Sequence, residues 1–504
     1  MWTVLILILS AAYLFYKWYT QKYDYFETRG IPYIKAKFPL GNLPNAILFM
    51  RNFLYDFDDI YQQFRGKESL VGYFETRSPQ FLILSPDIAK KILTTHFASF
   101  HDNEFSNLFT VEMEPVMARN PFILKGQEWK EKRAEITPAF TSSRLRACFP
   151  LIEEVLIKFT KYIRDEFEKD NNKIFDVRNI CHRFTVDAVS SCIFNADAQS
   201  FASEKPEIAE MGRKLVEFHG IIQFIQFMLI SMFPNIRKYF KMPMVDKVAE
   251  NFFINLMQQA VELRETNPIP REDFMSFLIE LKKKKSISEI EMAAHGVTFF
   301  TDGTETSSLA IAHILYELAD NKKAQGKLRK EINDKIIDEN GKIIFDKMLD
   351  SEYLNQVFYE SLRLHEPIGI YNRQCNEETV LDCGNGKRYK VEKGMSVNIP
   401  IHSIHRDPDY YLNPNEFIPE RFDPENGGPK AFEDRGVLLP FGDGPRICLG
   451  RRFAVIQVKA AVVEIIRNFE MSVNEKTQRP LIIDTSTFLN AKKGGLWLNI
   501  QPIV

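Results

Sequence analysis

The sequence has few cysteines and no excess of charge of either sign. Its six cysteines are spread over 504 residues without a C-x-x-C pair, at positions 148, 181, 192, 375, 383 and 448. This spacing excludes a disulfide-rich scaffold and indicates a reducing compartment. The net charge is -2, from 65 basic and 67 acidic residues that are well mixed, so the charge pattern does not indicate nucleic-acid binding.

Zinc-like clusters and low-complexity segments are also missing. His402 and His405 lie close together, but no cysteine or second histidine pair at zinc-like spacing accompanies them. With 45% hydrophobic residues and 42 phenylalanines, the chain can bury a large apolar core. These absences leave a large globular protein as the expected class.

One long apolar run stands at the N-terminus. No charge interrupts Trp2 to Tyr16, and the first basic residue is Lys17. A cleaved signal peptide would carry a basic residue before the run, whereas here the basic residues follow it, which places the rest of the chain on the cytoplasmic side of a membrane. We therefore predict three segments: an uncleaved transmembrane anchor at 1–20, a linker containing Pro and Gly at 21–45, and one large domain at 46–504.

Helical periodicity dominates the remainder of the chain. Between about 150 and 350, apolar residues recur at spacings of three and four, whereas strand-like runs are short, as at 79–85 and 396–400. The final third is rich in Pro and Gly, which indicates turns. The pattern predicts a mainly α fold with small β-sheets (α+β). One apolar stretch, 218–240, is either a buried core helix or a membrane-facing or substrate-entry surface.

Cys448 lies in a glycine-rich segment, PFGDGPRICLGRRFA. A lone cysteine is most often a small buried apolar residue. Here the glycines at 442, 444 and 450 allow a tight loop whose backbone N–H groups can point at the sulfur and stabilise a thiolate. Arg446 adds a cation that could hold an anionic group of the same ligand. Such a thiolate suits ligation of a soft, open-shell metal, and haem iron is the obvious candidate.

This segment resembles the haem-binding signature of the cytochrome P-450 family, F-x-x-G-x-R-x-C-x-G, through Phe441, Gly444, Arg446, Cys448 and Gly450. The signature is highly specific, and the resemblance covers nearly the whole chain. It implies the cytochrome P-450 fold with an N-terminal membrane anchor helix, and a haem-binding monooxygenase domain at 46–504. It also implies that Cys448 is the ligand of the haem b iron.

Further haem-binding residues are implied by the resemblance. Trp129 and Arg133 match the family's W-x-x-x-R motif, whose residues hydrogen-bond haem propionates in relatives. Arg373 stands where the family places another propionate ligand. A lone tryptophan would most often be a core residue. These assignments therefore depend on the motifs occurring together with the cysteine segment and in the family's order.

A second set of motifs is implied to act in folding and haem incorporation, not in catalysis. Glu360 and Arg363 form the family's E-x-x-R pattern, with both side chains on one helix face. Arg421, in PERF, is expected to close a buried charge network with them. Without that context, the pair would be a surface interaction worth only tenths of a kcal/mol.

The segment FFTDGTETSS at 299–308 places acids inside an otherwise apolar or small-residue helix. It matches the family's distal-helix motif, A-G-x-[DE]-T-[TS], through Gly303, Glu305, Thr306 and Ser307. The match implies that Thr306 hydrogen-bonds dioxygen or an ordered water, and that Glu305 supplies protons through a short relay. Gly303 is expected to permit a helix distortion and a close approach to dioxygen.

Asp302 departs from this motif, which usually has alanine at that position. It precedes Thr306 by four residues, so both are expected on one face beside the oxygen pocket. A buried carboxylate there would tend to be protonated or to require a partner. One interpretation is a local bond to a neighbouring hydroxyl such as Thr301 or to a backbone group. The other is that Asp302 selects basic or hydroxylated substrates or joins the proton relay.

The motifs look most like the insect microsomal, xenobiotic-metabolising branch of the family. The implied reaction inserts one atom of O2 into a lipophilic substrate: a xenobiotic, insecticide, plant toxin, or endogenous hormone or lipid. Electrons would come from NADPH through NADPH-cytochrome P-450 reductase, with cytochrome b5 as a further candidate partner. The expected location is the endoplasmic reticulum membrane, with the catalytic domain facing the cytosol.

Two alternatives stay open. One is a haem-thiolate isomerase or dehydratase of the same fold, although members of that kind often lack the acid–threonine pair found at Glu305 and Thr306. The other is a non-catalytic haem or lipid sensor. A two-carboxylate hydrolase built from Asp302 and Glu305 is rejected, because it would leave the cysteine segment unexplained.

Overall fold

The computed structural model describes residues 1–216, 220–268, 273–384 and 386–503. In these ranges the chain forms eighteen α-helices, numbered α1 to α18: Trp2–Thr20, Asn45–Leu48, Leu54–Phe64, Pro86–Leu93, Gly126–Ile136, Ser142–Lys169, Val177–Phe194, Glu207–Val216, Ile221–Met232, Lys247–Thr266, Phe274–Lys285, Glu289–Asp320, Lys322–Glu331, Phe345–Asp350, Glu352–Leu364, Ile401–Ile404, Gly428–Asp434 and Arg451–Asn468. The mainly α class with small sheets is confirmed.

Nine β-strands, β1 to β9, occur in the same ranges: Leu70–Glu75, Ser78–Ile83, Ile174–Asp176, Tyr371–Gln374, Thr379–Asp382, Arg388–Val391, Ser396–Ile399, Phe469–Val473 and Trp497–Pro502. They form a four-stranded sheet in the order β1-β2-β7-β4, a three-stranded sheet in the order β3-β9-β8, and the hairpin β5-β6. The strands pair antiparallel except for β2 with β7, which are parallel. The four-stranded sheet places β4, and with it Arg373, beside the candidate site.

Helix α12 is the longest helix in the described ranges, with 32 residues and a length of about 48 Å. It begins at a capping box, in which Ser288 Oγ accepts a hydrogen bond from Glu291 N and Glu291 Oε2 accepts one from Ser288 N. Because α12 packs against α7, α10, α15 and α18, most of its side chains are buried. Its middle carries residues 302–306 into the interior of the molecule.

A buried charge network joins α15 to the segment before α17. Arg363 is fully buried and donates from Nε and Nη2 to the two carboxylate oxygens of Glu360, each at 2.8 Å. Arg421 Nε lies 3.3 Å from Glu360 Oε1. Arg363 Nη1 donates to the carbonyl oxygens of His405 and Pro414. Each buried charge is thus paired or hydrogen-bonded, which is the condition under which such a network is tolerated.

Helix α1 is long and apolar enough to cross a membrane, and only 6% of its apolar window is buried. Its last turn contacts the body of the protein, where Tyr19 Oη donates to Pro39 O at 2.5 Å and the Arg77 guanidinium lies 3.6 Å from the Trp18 ring centroid. The segment 21–45 packs on the four-stranded sheet through the fully buried Phe26. The bounds of the three predicted segments stay predictions.

The apolar stretch 218–240 is largely at the surface, and its first two residues lie outside the described part of the chain. Ile222 in α9 is 71% exposed, and Tyr239 is 81% exposed. The Phe233 ring stacks on that of Trp18, at the end of α1, with centroids 6.0 Å apart. The stretch is therefore not a wholly buried core helix, and it adjoins the predicted anchor.

Candidate active site

The Cys448 loop is held by its own backbone. Cys448 N donates to Phe441 O at 2.8 Å. Gly444 has a φ of +68°, and a Cβ at this position would overlap the carbonyl oxygen of Leu93, so the loop requires glycine here. Among the six cysteines, all within the described ranges, Cys448 alone is an exposed residue. The loop therefore presents this thiol at a fixed position just before α18.

The electrostatic surroundings of Cys448 include both apolar packing and cations. Burial raises the pKa of the thiol, whereas the Gly450 N–H, Arg133 and Arg451 act in the opposite direction. Arg133 also fastens the loop, because its Nη2 donates to Ile447 O at 2.6 Å. Backbone N–H groups and cations near a cysteine are what stabilise a thiolate.

Phe441 packs between the loop and α15. Its ring stacks on Phe358, with centroids 6.3 Å apart and an interplanar angle of 18°. The Arg451 guanidinium lies 5.4 Å from the centroid of the Phe441 ring. The first residue of the predicted signature therefore braces the cysteine loop against the helix that carries the buried Glu360 and Arg363.

Three arginines from different elements surround one interior region beside this loop. Arg133 belongs to α5, Arg373 to β4, and Arg446 to the cysteine loop. Arg446 stacks on Trp129, which is also in α5, with the guanidinium 4.3 Å from the ring centroid. The structure thus brings together all four residues that the sequence assigned to a propionate-binding role.

The three arginines have too few carboxylates nearby to balance their positive charges. Asp102 Oδ1 lies 3.6 Å from Arg446 Nη2, and it is the only carboxylate within 4 Å of any of the three in the described ranges. Burial, together with Arg373 and Arg133, lowers the pKa of Arg446 to about 9; burial lowers that of Arg373 to about 10. The buried Nε atoms of Arg373 and Arg446 make no hydrogen bond in the described part. Unpaired buried cations are costly, so the cluster fits a ligand with carboxylate groups.

Thr306 lies in the uninterrupted helix α12. Its Oγ1 donates to the carbonyl oxygen of Asp302 at 2.6 Å. The expected distortion at Gly303 is not seen, and a Cβ there would meet only Val189 Cγ2, at an ordinary 3.7 Å. Gln457 Nε2, from α18, donates to Gly303 O at 3.0 Å and to Ser307 Oγ at 2.6 Å. These bonds attach the middle of the helix to α18 without interrupting it.

Glu305 points toward α7. Arg178 Nη2 donates to Glu305 Oε1 at 2.5 Å, and His182 Nε2 lies 3.5 Å from Oε2. The three side chains are each about one-quarter to two-fifths exposed, so they connect α12 with solvent. Thr306 and Glu305 are adjacent, but no direct hydrogen bond joins their side chains in the described structure. The relay function of Glu305 stays a prediction.

Asp302 has an exposed surface and lies near Cys448, because its negative charge raises the pKa of the Cys448 thiol. Thr301 Oγ1 donates to Asp302 Oδ1 at 3.2 Å, which is the local bond expected in one of the two interpretations. Asn120 is a second polar neighbour. Burial raises the pKa of Asp302 to about 6, and the Thr301 and Asn120 side chains act in the opposite direction.

The comparisons with known proteins agree with this geometry. A family model described as "Cytochrome P450" matches residues 39–499. "Probable cytochrome P450 28d1" of Drosophila melanogaster is 36% identical over 500 residues, covering 99% of this chain and 98% of the relative. "Cytochrome P450 6a9" of the same organism is 34% identical, covering 99% and 98%. The chain belongs to the cytochrome P450 family. Membership confirms the predicted resemblance to an insect branch, and it makes the protein a haem-dependent monooxygenase.

Several residues that neighbour the predicted site residues were not identified from the sequence. Asn120, Arg178, Asp102 and Gln457 each lie close to a predicted site residue, but each comes from a distant part of the chain. None lies within the matched motifs. Only contacts between distant segments, which periodicity and spacing do not report, could have identified them.

Proposed function

We propose that this P450 is a membrane-anchored haem-thiolate monooxygenase that oxidises lipophilic substrates. The observation that carries the proposal is the arrangement of the Cys448 thiol near three arginines that lack matching carboxylates. A dianionic, planar cofactor with a metal centre suits such a combination of donors. Haem b, when bound, supplies the iron at which O2 is activated.

In this proposal Cys448 Sγ would ligate the iron of bound haem. Arg133, Arg373 and Arg446 would hold the carboxylate side chains of the porphyrin, with the Arg446 guanidinium stacked on Trp129. Charge-assisted hydrogen bonds from arginine to carboxylate would satisfy the donors that are otherwise unpaired. Phe441 shields the thiolate side from water by packing between the loop and α15.

The opposite side of the site handles protons and substrate. Thr306 positions a water or dioxygen through its hydroxyl group, which now donates to Asp302 O and can rotate to another acceptor. Glu305 exchanges protons with solvent past Arg178 and His182. A carboxylate used in this way must release its ion pair during turnover, so we expect the Arg178 contact to open and close.

We further propose that the protein resides in the endoplasmic reticulum membrane with its body in the cytosol. Helix α1 provides the anchor. The exposed apolar side chains of α9 and of the segment after it would insert into the same membrane leaflet. This placement is supported by the stacking of Phe233 on Trp18 at the end of α1. Electrons would come from NADPH through NADPH-cytochrome P-450 reductase, with cytochrome b5 as a second donor.

The test has a spectral part and a turnover part. Reduced protein with carbon monoxide should show the red-shifted Soret band of thiolate ligation, and a histidine-like spectrum would contradict the role of Cys448. A substrate panel with reductase and NADPH, read by mass spectrometry, should give products that carry one atom from 18O2. Conversion without NADPH would instead indicate an isomerase or dehydratase, and tight binding without any conversion would indicate a sensor.

A further inference from the structure

Asp302 is a carboxylate without a cationic partner in the interior of the protein. In the described ranges no lysine, arginine or histidine forms an ion pair with it, whereas Glu305, three residues later, pairs with Arg178. Its surface is exposed, and its charge acts on Cys448, so it lies near the cysteine loop. The protein around it disfavours its ionised form, and no cation of the protein offsets that cost, so a ligand that supplies a positive charge would be favoured.

Two neutral side chains neighbour this carboxylate. Thr301 donates from Oγ1 at 3.2 Å. Asn120 is 4% exposed and lowers the pKa of Asp302, and its Oδ1 already accepts from Phe122 N at 2.7 Å, which leaves its amide nitrogen as the donor available to Asp302. A carboxylate has about four acceptor positions. Two neutral donors therefore leave acceptor positions of Asp302 for another group.

An aromatic cluster begins close in the chain to Asn120, the neighbour of Asp302. Phe122 is 46% exposed and follows Asn120 by two residues. Its ring lies 5.7 Å from that of Phe105, which in turn lies 5.3 Å from that of Phe488. Phe488 stacks on Phe53 at 5.8 Å. The aromatic cluster, Phe105, Phe122, Phe488 and Phe53, thus begins two residues after Asn120, to which the Phe122 backbone is hydrogen-bonded.

We infer that Asp302 binds the cationic nitrogen of a lipophilic amine whose apolar body packs on the aromatic cluster. The inference rests on the proposed monooxygenase function and specifies its substrate class. An ammonium group would pair with the carboxylate where little water competes, whereas a neutral isostere would leave the carboxylate without a partner. Aromatic side chains also attract cations through their faces, so the two features favour the same ligand.

The experiment compares two probes of equal shape on the ferric, haem-loaded full chain, without electron donors. The cation is trimethyl(3-phenylpropyl)ammonium, and the neutral isostere is (4,4-dimethylpentyl)benzene. The quaternary nitrogen cannot ligate iron and does not titrate. Dissociation constants are measured by equilibrium dialysis and by the substrate-induced Soret shift. We expect the cation to bind wild type at least as tightly as the isostere, and Asp302→Asn to weaken the cation tenfold or more while changing the isostere less than twofold.

Asp320→Asn is the matched control, because it removes a carboxylate from the far, exposed end of the same helix and should leave both constants unchanged. If Asp302→Asn does not load haem, the test uses Asp302→Ser instead, together with the ratio of the two probes' dissociation constants in wild type. An unchanged ratio of the two dissociation constants in the variants, or tighter binding of the isostere than of the cation by wild type, overturns the inference and leaves Asp302 with its local contacts only. Selective cation binding without NADPH-dependent oxidation would contradict the proposed function and not this inference.

Discussion

The two sides of the candidate site are determined by different kinds of contact. On the cysteine side, backbone geometry fixes the arrangement, since Gly444 needs its left-handed conformation and has no room for a Cβ. On the α12 side the backbone is ordinary helix, and partners from elsewhere decide what each acid does. Asp302 and Glu305 differ by one methylene and three positions, yet only Glu305 meets an arginine. On the cysteine side, the local sequence therefore determines most of what each residue can do. On the α12 side, the function of an acid also depends on its partners from other segments.

The largest effect should come from replacing the thiol itself. Cys448→Ser keeps the size of the side chain but removes the soft donor, so we expect the red-shifted carbon monoxide band and all NADPH-dependent oxidation to disappear. Haem content and the spectrum of the reduced carbon monoxide complex measure this. Cys383→Ser is the control, because Cys383 is a free thiol that directly follows β5 and lies outside the cysteine loop. A normal spectrum in Cys448→Ser would remove the thiolate from the site.

A pair of glycine substitutions tests the difference between the two sides directly. Gly444→Ala should destabilise the fold by about 2–4 kcal/mol, because it adds a Cβ at positive φ against the Leu93 carbonyl. Gly303→Ala should leave stability unchanged or raise it by up to about 1 kcal/mol, since alanine is the better helix former and finds room there. Denaturant unfolding of both variants measures the contrast. Equal destabilisation by the two would contradict the distinction.

The predicted role of Gly303 gives the same variant a second readout. If Gly303 allows dioxygen to approach α12, Gly303→Ala should lower the fraction of NADPH converted to product although the fold is intact. Product and peroxide are quantified together against NADPH consumed. Full coupling in this stable variant would show that the glycine has no role beyond the motif.

A smaller and more specific effect is expected from the hydroxyl group of Thr306. Thr306→Ala should keep haem and stability, while the share of electrons lost to peroxide or water rises about tenfold or more. Thr304→Ala is the matched control, because Thr304 makes the same bond to the carbonyl four residues earlier but is buried in helix packing. Peroxide release that is equal in both variants would assign the effect to helix stability and not to the Thr306 hydroxyl.

The fold class, the family and the residues around Cys448 could be predicted from the sequence, because they depend on local patterns. A loop with glycines and an arginine at fixed spacing is a local pattern, and the E-x-x-R pair lies within one helical turn. The sequence could not show that Arg178 would pair with Glu305, or that Asn120 would neighbour Asp302, since the first two lie 127 residues apart and the second two belong to different segments of the chain. It also left two interpretations of 218–240; the exposure of Ile222 and Tyr239 excludes a wholly buried core helix, and a membrane-facing or substrate-entry surface stays a prediction.

The smallest expected effect concerns the pH dependence of stability. Because burial raises the pKa of Asp302 to about 6, the folded protein holds this proton more tightly than the unfolded chain does. The favourable contribution is complete below the ordinary aspartate pKa and is lost as the pH rises through about 6. Asp302→Asn, which cannot ionise, should therefore gain stability over wild type between about pH 4 and 6 and keep the gain above that range. Thermal unfolding of the haem-loaded proteins across this range measures the difference, and a gain of the same size in Asp320→Asn would place its origin outside the interior carboxylate. Since a bound cation would offset the same cost, adding the ammonium probe should reduce the gain at pH 7, whereas the neutral isostere should not.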